Sequence, residues 1–396
     1  MPKVTKGVRF GFEANRELRN LLVVFRDLIN FCLEKGLEKN ISSRLRLLKE
    51  VYQEAKQFGL HTHYILTACE IACAILKNYR KAKRKNKKVN KPKAKKLFLK
   101  LDNQSYKLIK KEEDLYLRIP TSPRRFLYLR LKYGDYQKSF LDGDYKLGSV
   151  TINLNNVIIA FSKEVEPIAP KRKVAIDINE ENITCVSSDG LVKVYDLKQA
   201  KTIRYTYYLK RKSIQKNVKC RRLRKALLAK YSDRERRKVE QILHKVSKQI
   251  IRDFPDSEFI LEDLKGIRNR VNKRKLKKNK HNGKIQPHRT RPKKLLRRLN
   301  SWPFRKIQFF IEYKALWDYM QVTYTDARLT SSLCPICGLR LEPNGHRVMK
   351  CKCGLEMDRD IIACLNLLKM KGAWFSPDSL RMTSTSDEGR GKLAFG

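Results

Sequence analysis

The chain has 396 residues, and 90 Lys and Arg against 40 Asp and Glu give it a formal net charge of +50. Self-repulsion on that scale destabilises a compact state unless a polyanion neutralises it, which points to nucleic acid or an anionic membrane surface and moves small-molecule metabolism far down the order. A hydrophobic content of 41% excludes wholesale disorder, no run approaches the ~20 apolar residues of a membrane helix, and a soluble, intracellular protein with about two to three domains is expected.

Residues 4 to 12 (VTKGVRFGF) read as a strand, and from about Asn15 to Tyr79 apolar residues recur at helical spacing, as in Leu21, Phe25, Leu28, Ile29 and Cys32. Lys77 to Lys100 then carries 13 Lys/Arg in 24 positions and no acid. Such a block by itself is a solvated loop, but in a chain of this charge phosphate contact is an equal reading. From Leu97 to about Pro167, short alternating segments broken by Gly, Pro and Asp predict a small β-barrel or sandwich. The opening strand is expected to join it, making the helical segment an insertion.

Pro167-Ile168-Ala169-Pro170 marks a boundary. Beyond it, Lys173 to Ile178, Ile183 to Ser188 and Leu191 to Leu197 predict three antiparallel strands, the last two joined by an Asp189-Gly190 hairpin. A long basic helical stretch, roughly Ala200 to Arg252, precedes a further apolar strand, Phe259 to Leu264. A strand, a crossover helix and a strand favour parallel pairing, and the resulting order is that of a ribonuclease-H-like sheet.

Asp177 in VAIDI and Glu262 in FILEDL each place a carboxylate in an apolar strand. Either one alone reads better as an exposed or N–H-satisfied acid; side by side they suggest a divalent-metal site. Asp358 and Asp360 open a helix, where Asp358 suits the N-cap and Asp360 is left to point at the strands. Three convergent carboxylates form the oxygen-rich site that Mg²⁺ prefers, and two such ions ~3.5–4 Å apart would activate a water and stabilise a phosphodiester's leaving oxygen. Cys334-Pro335-Ile336-Cys337 and Cys351-Lys352-Cys353 supply four thiolates for a closed, structural Zn²⁺ site. His346, between the pairs, reads as a loop residue, and the other six cysteines as small buried hydrophobes. Leu264 to Ile311 contains no acid, and the 16 Lys/Arg from Lys265 to Arg298, followed by Trp302, Phe304, Phe309 and Phe310, suggest a phosphate track.

With AIDINEENI around Asp177, FILEDLKGI around Glu262, TSSLCPICG from Thr330 and the segment from Asp358 to Leu367, in this order and spacing, residues 171 to 370 resemble the TnpB family of transposon-encoded RNA-guided nucleases, relatives of compact type V CRISPR effectors. The resemblance implies a multidomain α+β fold: a wedge β-barrel (1–14 and 81–170, with a basic linker) interrupted by a helical recognition lobe (15–80), then a RuvC-like α/β nuclease domain (171–330 and 358–372) with an inserted zinc ribbon (331–357); the composition of residues 373–396 reads as a disordered tail. The resemblance further implies a catalytic, Mg²⁺-binding triad of Asp177, Glu262 and Asp360. The implied partners are a transposon-derived guide RNA and target double-stranded DNA cut on both strands beside a short flanking motif, and the implied setting is the prokaryotic cytoplasm, associated with the nucleoid, with a monomer expected and no membrane partner. Asn179 stands where the family has glycine, and Asp360-Ile361-Ile362-Ala363-Cys364 replaces its Asp-x-Asn-Ala-Ala; both departures leave all three acids in place. The alternatives are a guided DNA-binding protein without cleavage, an unguided ribonuclease-H-fold recombinase and an rRNA-associated structural protein.

Overall fold

A computed structural model describes residues 2–13, 15–85, 89–278, 285–326, 330–345, 347–373 and 380–382, with side chains described at all of these except 270, 277–278, 286–289 and 382. The chain divides into two compact units, Met1–Glu164 and Val165–Gly396, just ahead of the proline-marked boundary.

In the first unit, β1 (Lys3–Phe12) is followed by α1 (Arg16–Glu38), α2 (Arg44–Ala55) and α3 (Thr62–Lys85). The strands β2 (Leu99–Leu101), β3 (Lys107–Lys111), β4 (Asp114–Ser122) and β5 (Arg125–Lys132) come next, then α4 (Asp135–Leu141), β6 (Lys146–Ile152) and β7 (Asn156–Glu164). The Asn15 side chain caps α1 by accepting from the Leu18 N–H at 2.7 Å, and the apolar stripe of α1 is buried against α3. β1 pairs with β7 along nearly its whole length, so the three helices are an insertion between strands of one sheet.

That sheet corrects the barrel expectation. Its order is β2-β6-β7-β1-β5-β4-β3, with β2 and β3 as unpaired edges. The reason lies in register: β1 meets β5 only through Gly11↔Lys132 and Phe12↔Leu131, and β2 offers only three residues. Seven strands joined so narrowly in the middle stay an open sheet, because closure needs a continuous stagger around the ring. The basic run beginning at Lys77 is also not all loop, since α3 continues through Lys85. Lys and Arg are good helix formers, and three of them in the last turn complement the helix dipole.

The second unit begins with β8 (Arg172–Ile178), β9 (Asn182–Ser187) and β10 (Leu191–Asp196), then the helices α5 (Lys198–Asn217) and α6 (Arg221–Asp253), then β11 (Ser257–Glu262). The acid-free stretch holds α7 (Ile267–Val271), the hairpin β12 (Arg274–Lys278) and β13 (Ile285–Arg289), α8 (Lys293–Ser301) and the start of α9 (Phe304–Trp317). β14 (Val322–Thr325), β15 (Glu342–Pro343), β16 (Val348–Lys350), β17 (Glu356–Asp358), α10 (Arg359–Met370) and β18 (Arg381–Met382) complete it.

The main sheet runs β14-β11-β8-β9-β10-β18, with β8, β9 and β10 an antiparallel meander and β11 parallel to β8. Gly190, at φ 84°, supplies the left-handed turn between β9 and β10. Val174, Ile176, Phe259 and Leu261 pack with residues of α6 and α9. Ala175, Val186 and Ile260 point the other way, against Ile361, Cys364 and Leu365 of α10. The long basic helical stretch expected from about Ala200 to Arg252 is a hairpin of two helices, α5 and α6, broken at Val218 and clamped by Arg204 and Arg211, which both pair with Glu235. Four residues of β14 extend the sheet beyond β11, an addition too short for periodicity to reveal. The expectation of a disordered tail falls mostly outside the described residues; at 380–382 the chain adds β18 beside β10, with the Arg381 N–H donating to the Gly190 carbonyl at 2.8 Å.

Candidate active site and metal centre

Side chains alternate across a strand. Ala175 and Ile260 face α10, so Asp177 and Glu262, each two positions on, face α10 as well. The register pairs Leu261 with Ile176, which sets Glu262 and Asp177 next to each other at the C-terminal ends of parallel β11 and β8. Asp177 lies opposite Thr184 on β9. The Cys364 thiol, one turn after Asp360 on α10, donates to the Thr184 carbonyl at 3.4 Å, so Asp360 approaches the same edge of the sheet. Asp358 caps α10, its Oδ1 accepting from the Asp360 N–H at 2.8 Å.

Asp177 is buried, and burial first and the neighbouring Glu262 second push its carboxyl from the ordinary 3.8 up to about 7. Asn179 opposes this by donating to Asp177 Oδ2 at 2.7 Å. Asn179 is the residue that replaces the glycine of the resemblance, and here it is a hydrogen-bonding partner of the acid. Glu262 is held from two sides: Thr330 Oγ1 donates to its Oε1 at 3.1 Å, and the buried Gln308 amide donates to its carbonyl at 2.7 Å. Asn366, on α10, donates to the carbonyls of Thr330 and Leu333 at 2.6 and 2.9 Å, tying α10 to the loop that steadies Glu262. Arg347 pairs with both Asp358 and Asp360. Sequence reading missed Arg347, Gln308, Thr330 and Asn366 as site residues, although Thr330 and Asn366 lie within the quoted motifs.

The donor set suits a hard divalent cation. Glu262 beside the buried Asp177 raises the proton affinity of Asp177, and a bound dication would reverse that preference. Asn182 adds an oxygen of the right kind: its Nδ2 lies 3.5 Å from Asp360 Oδ2, and its Oδ1 is a buried acceptor with no hydrogen-bond partner.

Behind β17, the four thiols expected to hold zinc come together. Cys334, Cys337, Cys351 and Cys353 offer sulfurs all within 4.8 Å of one another, with Cys334 and Cys353 at 3.6 Å and Cys337 and Cys351 at 3.4 Å. Each pair lies on a tight turn ended by a left-handed glycine, Gly338 (φ 76°) and Gly354 (φ 94°), whose N–H groups donate to the carbonyls of Cys334 and Cys351. A backbone N–H at Leu339 and a thiol hydrogen bond from Cys351 bring Cys337 down to about 7, towards the thiolate a metal needs. Such a cluster can bind zinc. The Cys-x-Cys spacing is accommodated because the turn residue after Cys353 is glycine. His346 lies outside the described residues. Of the other six cysteines, Cys220 is exposed and the remaining five are buried.

The expected aromatic track divides: Trp302, Phe304 and Phe310 are core residues, whereas Phe309 is exposed. In the first unit, the basic run lines a groove of about 1210 Å³ through Tyr79, Arg80, Lys83, Arg84, Lys91 and Lys93, with Glu34 and Glu38 also on its walls. Among the described residues no helix is long and apolar enough to cross a membrane.

Three kinds of similarity bear on this arrangement. The profile of the Cas12f1-like TNB domain family matches residues 304–367, and that of the uncharacterized protein MJ0013 family matches residues 21–119. The chain is 40% identical to the TnpB-like protein MJ0751 of Methanocaldococcus jannaschii over 68% of its own length and 96% of that protein's. It is 25% identical to TnpB-like protein MJ1635 of the same organism, over 90% of this chain and 82% of the relative. Its fold is similar to that of Cas12f1 in a cryo-EM complex with sgRNA and target DNA, at a TM-score of 0.55 and 14% identity, covering 89% of this chain and 81% of Cas12f1.

Proposed function

The chain belongs to the TnpB-like family, and from that membership we propose that it is an RNA-guided DNA endonuclease that hydrolyses phosphodiesters at Asp177, Glu262 and Asp360. One observation carries the chemistry: strand alternation and register bring Asp177 and Glu262 together on the face covered by α10, the helix that Asp360 opens. The solved relative bound to sgRNA and target DNA supports the choice of partners. On this reading residues 171–330 and 358–372 form the RuvC-like nuclease, and 331–357 the zinc ribbon that braces α10. The strands and helices of residues 1–170 would recognise the guide and the flanking DNA motif.

Asp177, Glu262 and Asp360 would hold Mg²⁺, which when bound supplies Lewis acidity and a water of lowered pKa. The protein's own contribution is placement. Thr330 and Gln308 fix Glu262, and Asn179 orients the Asp177 carboxylate. Arg347 offers a guanidinium beside Asp360, where the charge of a pentacoordinate phosphate would develop. Base pairing with the guide would select the sequence, while the basic surfaces hold backbone without reading it.

The test is cleavage of guide-matched DNA by the purified ribonucleoprotein. Asp177→Ala and Glu262→Ala should each reduce cutting by at least about a thousandfold while guide and target binding change less than about threefold. Wild-type cutting by either variant would remove the triad. Binding of matched DNA by the wild type without any cutting would leave a guided binder.

A further inference from the structure

α5 presents its tyrosines unequally. Tyr207 turns inward, edge-on to Tyr231 of α6 at 6.2 Å. Tyr205 and Tyr208, three positions apart and so neighbours on one face, have ring centroids 6.5 Å apart with planes inclined by 30°. Tyr205 is 56% exposed. On Tyr208 lies the guanidinium of Arg297 from α8, 3.6 Å from the ring centroid, a stacked cation–π contact. This leaves the exposed ring of Tyr205 beside the half-buried, guanidinium-covered ring of Tyr208 on a predominantly basic face: α5 carries seven Lys/Arg and no acid, and α8 has no acid either.

This face also adjoins the candidate active site. Arg298, next to Arg297, pairs with Glu180 at 2.7 Å, and Lys201 of α5 pairs with Glu181. These two glutamates directly follow Asn179, the hydrogen-bond partner of Asp177. Arg204 of α5 also donates to the Ser301 carbonyl at the end of α8. α5, α8 and the β8–β9 turn are therefore fastened into one rim.

We propose that Tyr205, Tyr208 and Arg297 form a stacking platform for bases of a single strand of nucleic acid. The surrounding cations select a polyanion over a protein surface, and, duplex ends aside, only an unpaired base exposes its face for stacking. That the strand held is the one about to be cut rests on the nuclease reading above; the platform itself does not.

The two can be separated by binding the full-length protein, in EDTA, to single-stranded DNA carrying a fluorescent purine analogue. Stacking quenches such a base. Tyr205→Ala, and Tyr205→Ala with Tyr208→Ala, should lose the quenching and bind about fivefold to a hundredfold more weakly. The slope of log affinity against log salt should stay unchanged, because no phosphate contact is lost. The Phe replacements should keep both quenching and affinity within about twofold. Quenching that survives Tyr205→Ala overturns the platform, as does a Phe variant that fails like the Ala variant, since that would mean the hydroxyl or the packing matters and not the π face. Quenching by a wild-type protein that never cuts guided DNA would overturn the nuclease reading and leave the platform standing.

Discussion

Asp177 is the residue whose environment makes the sharpest demand. Its carboxyl is raised from 3.8 to about 7 by burial and by Glu262, so between these values the folded, metal-free chain holds a proton that the unfolded chain has released. Stability from this group is complete below about pH 4 and is lost as pH rises through about 7. At about 1.4 kcal/mol per unit the loss is at most about 4 kcal/mol. Asp177→Asn should therefore be more stable than wild type in EDTA at pH 8 and nearly equal to it at pH 4, and Mg²⁺ should stabilise only the wild type; denaturant titrations at the two pH values would check this. Arg347→Ala leaves the nearly buried Asp360 without its cation. Arg347 is itself part-exposed, so a loss of about 1–3 kcal/mol is expected in EDTA, smaller in Mg²⁺; equal losses in both would contradict a shared acid site. The three acids were legible in the sequence because each interrupts an apolar strand or opens a helix. Arg347 was not: its meaning depends on a hairpin folding back onto the start of α10, which no local pattern encodes.

At the scale of elements, the four-cysteine segment and α10 act together. Ile362 packs with Cys334, Leu341 and Cys351, so the helix that carries Asp360 has the cysteine cluster as part of its core. Ile362 is also one of the departures from the family motif, and the cluster explains what an apolar side chain does there. Cys334→Ser should release about one zinc per chain and lower cleavage at least about tenfold, even though the cluster touches no substrate; metal content and rate measured on one preparation would decide. A variant that loses zinc and keeps its rate would sever the ribbon from the site. The meander, the hairpin at Gly190 and the parallel partner strand were readable from alternation and turn residues. The open first sheet and the break between α5 and α6 were not, because they depend on register and on Arg204 and Arg211 converging on Glu235, which are properties of packing rather than of any window of sequence.

For the whole molecule, the net charge of +50 implies binding that is steeply salt-dependent, with basic surfaces in both units contributing. Neutralising Lys83, Arg84, Lys91 and Lys93 should flatten the slope of log affinity against log salt by about three if all four meet phosphates, whereas an unchanged slope would return that run to a solvated surface. Charge and motif order made the class of partner legible from the outset, but composition is blind to which surface holds which strand. The central claim is guided cutting. It is tested most directly by expressing the protein with its native flanking DNA, sequencing any RNA that copurifies, and incubating the complex with matched and mismatched duplexes in Mg²⁺ or EDTA. The account predicts one defined RNA and cleavage only of the matched duplex in Mg²⁺; cleavage that is indifferent to the RNA, or a defined RNA with no cleavage under any divalent metal, would contradict it.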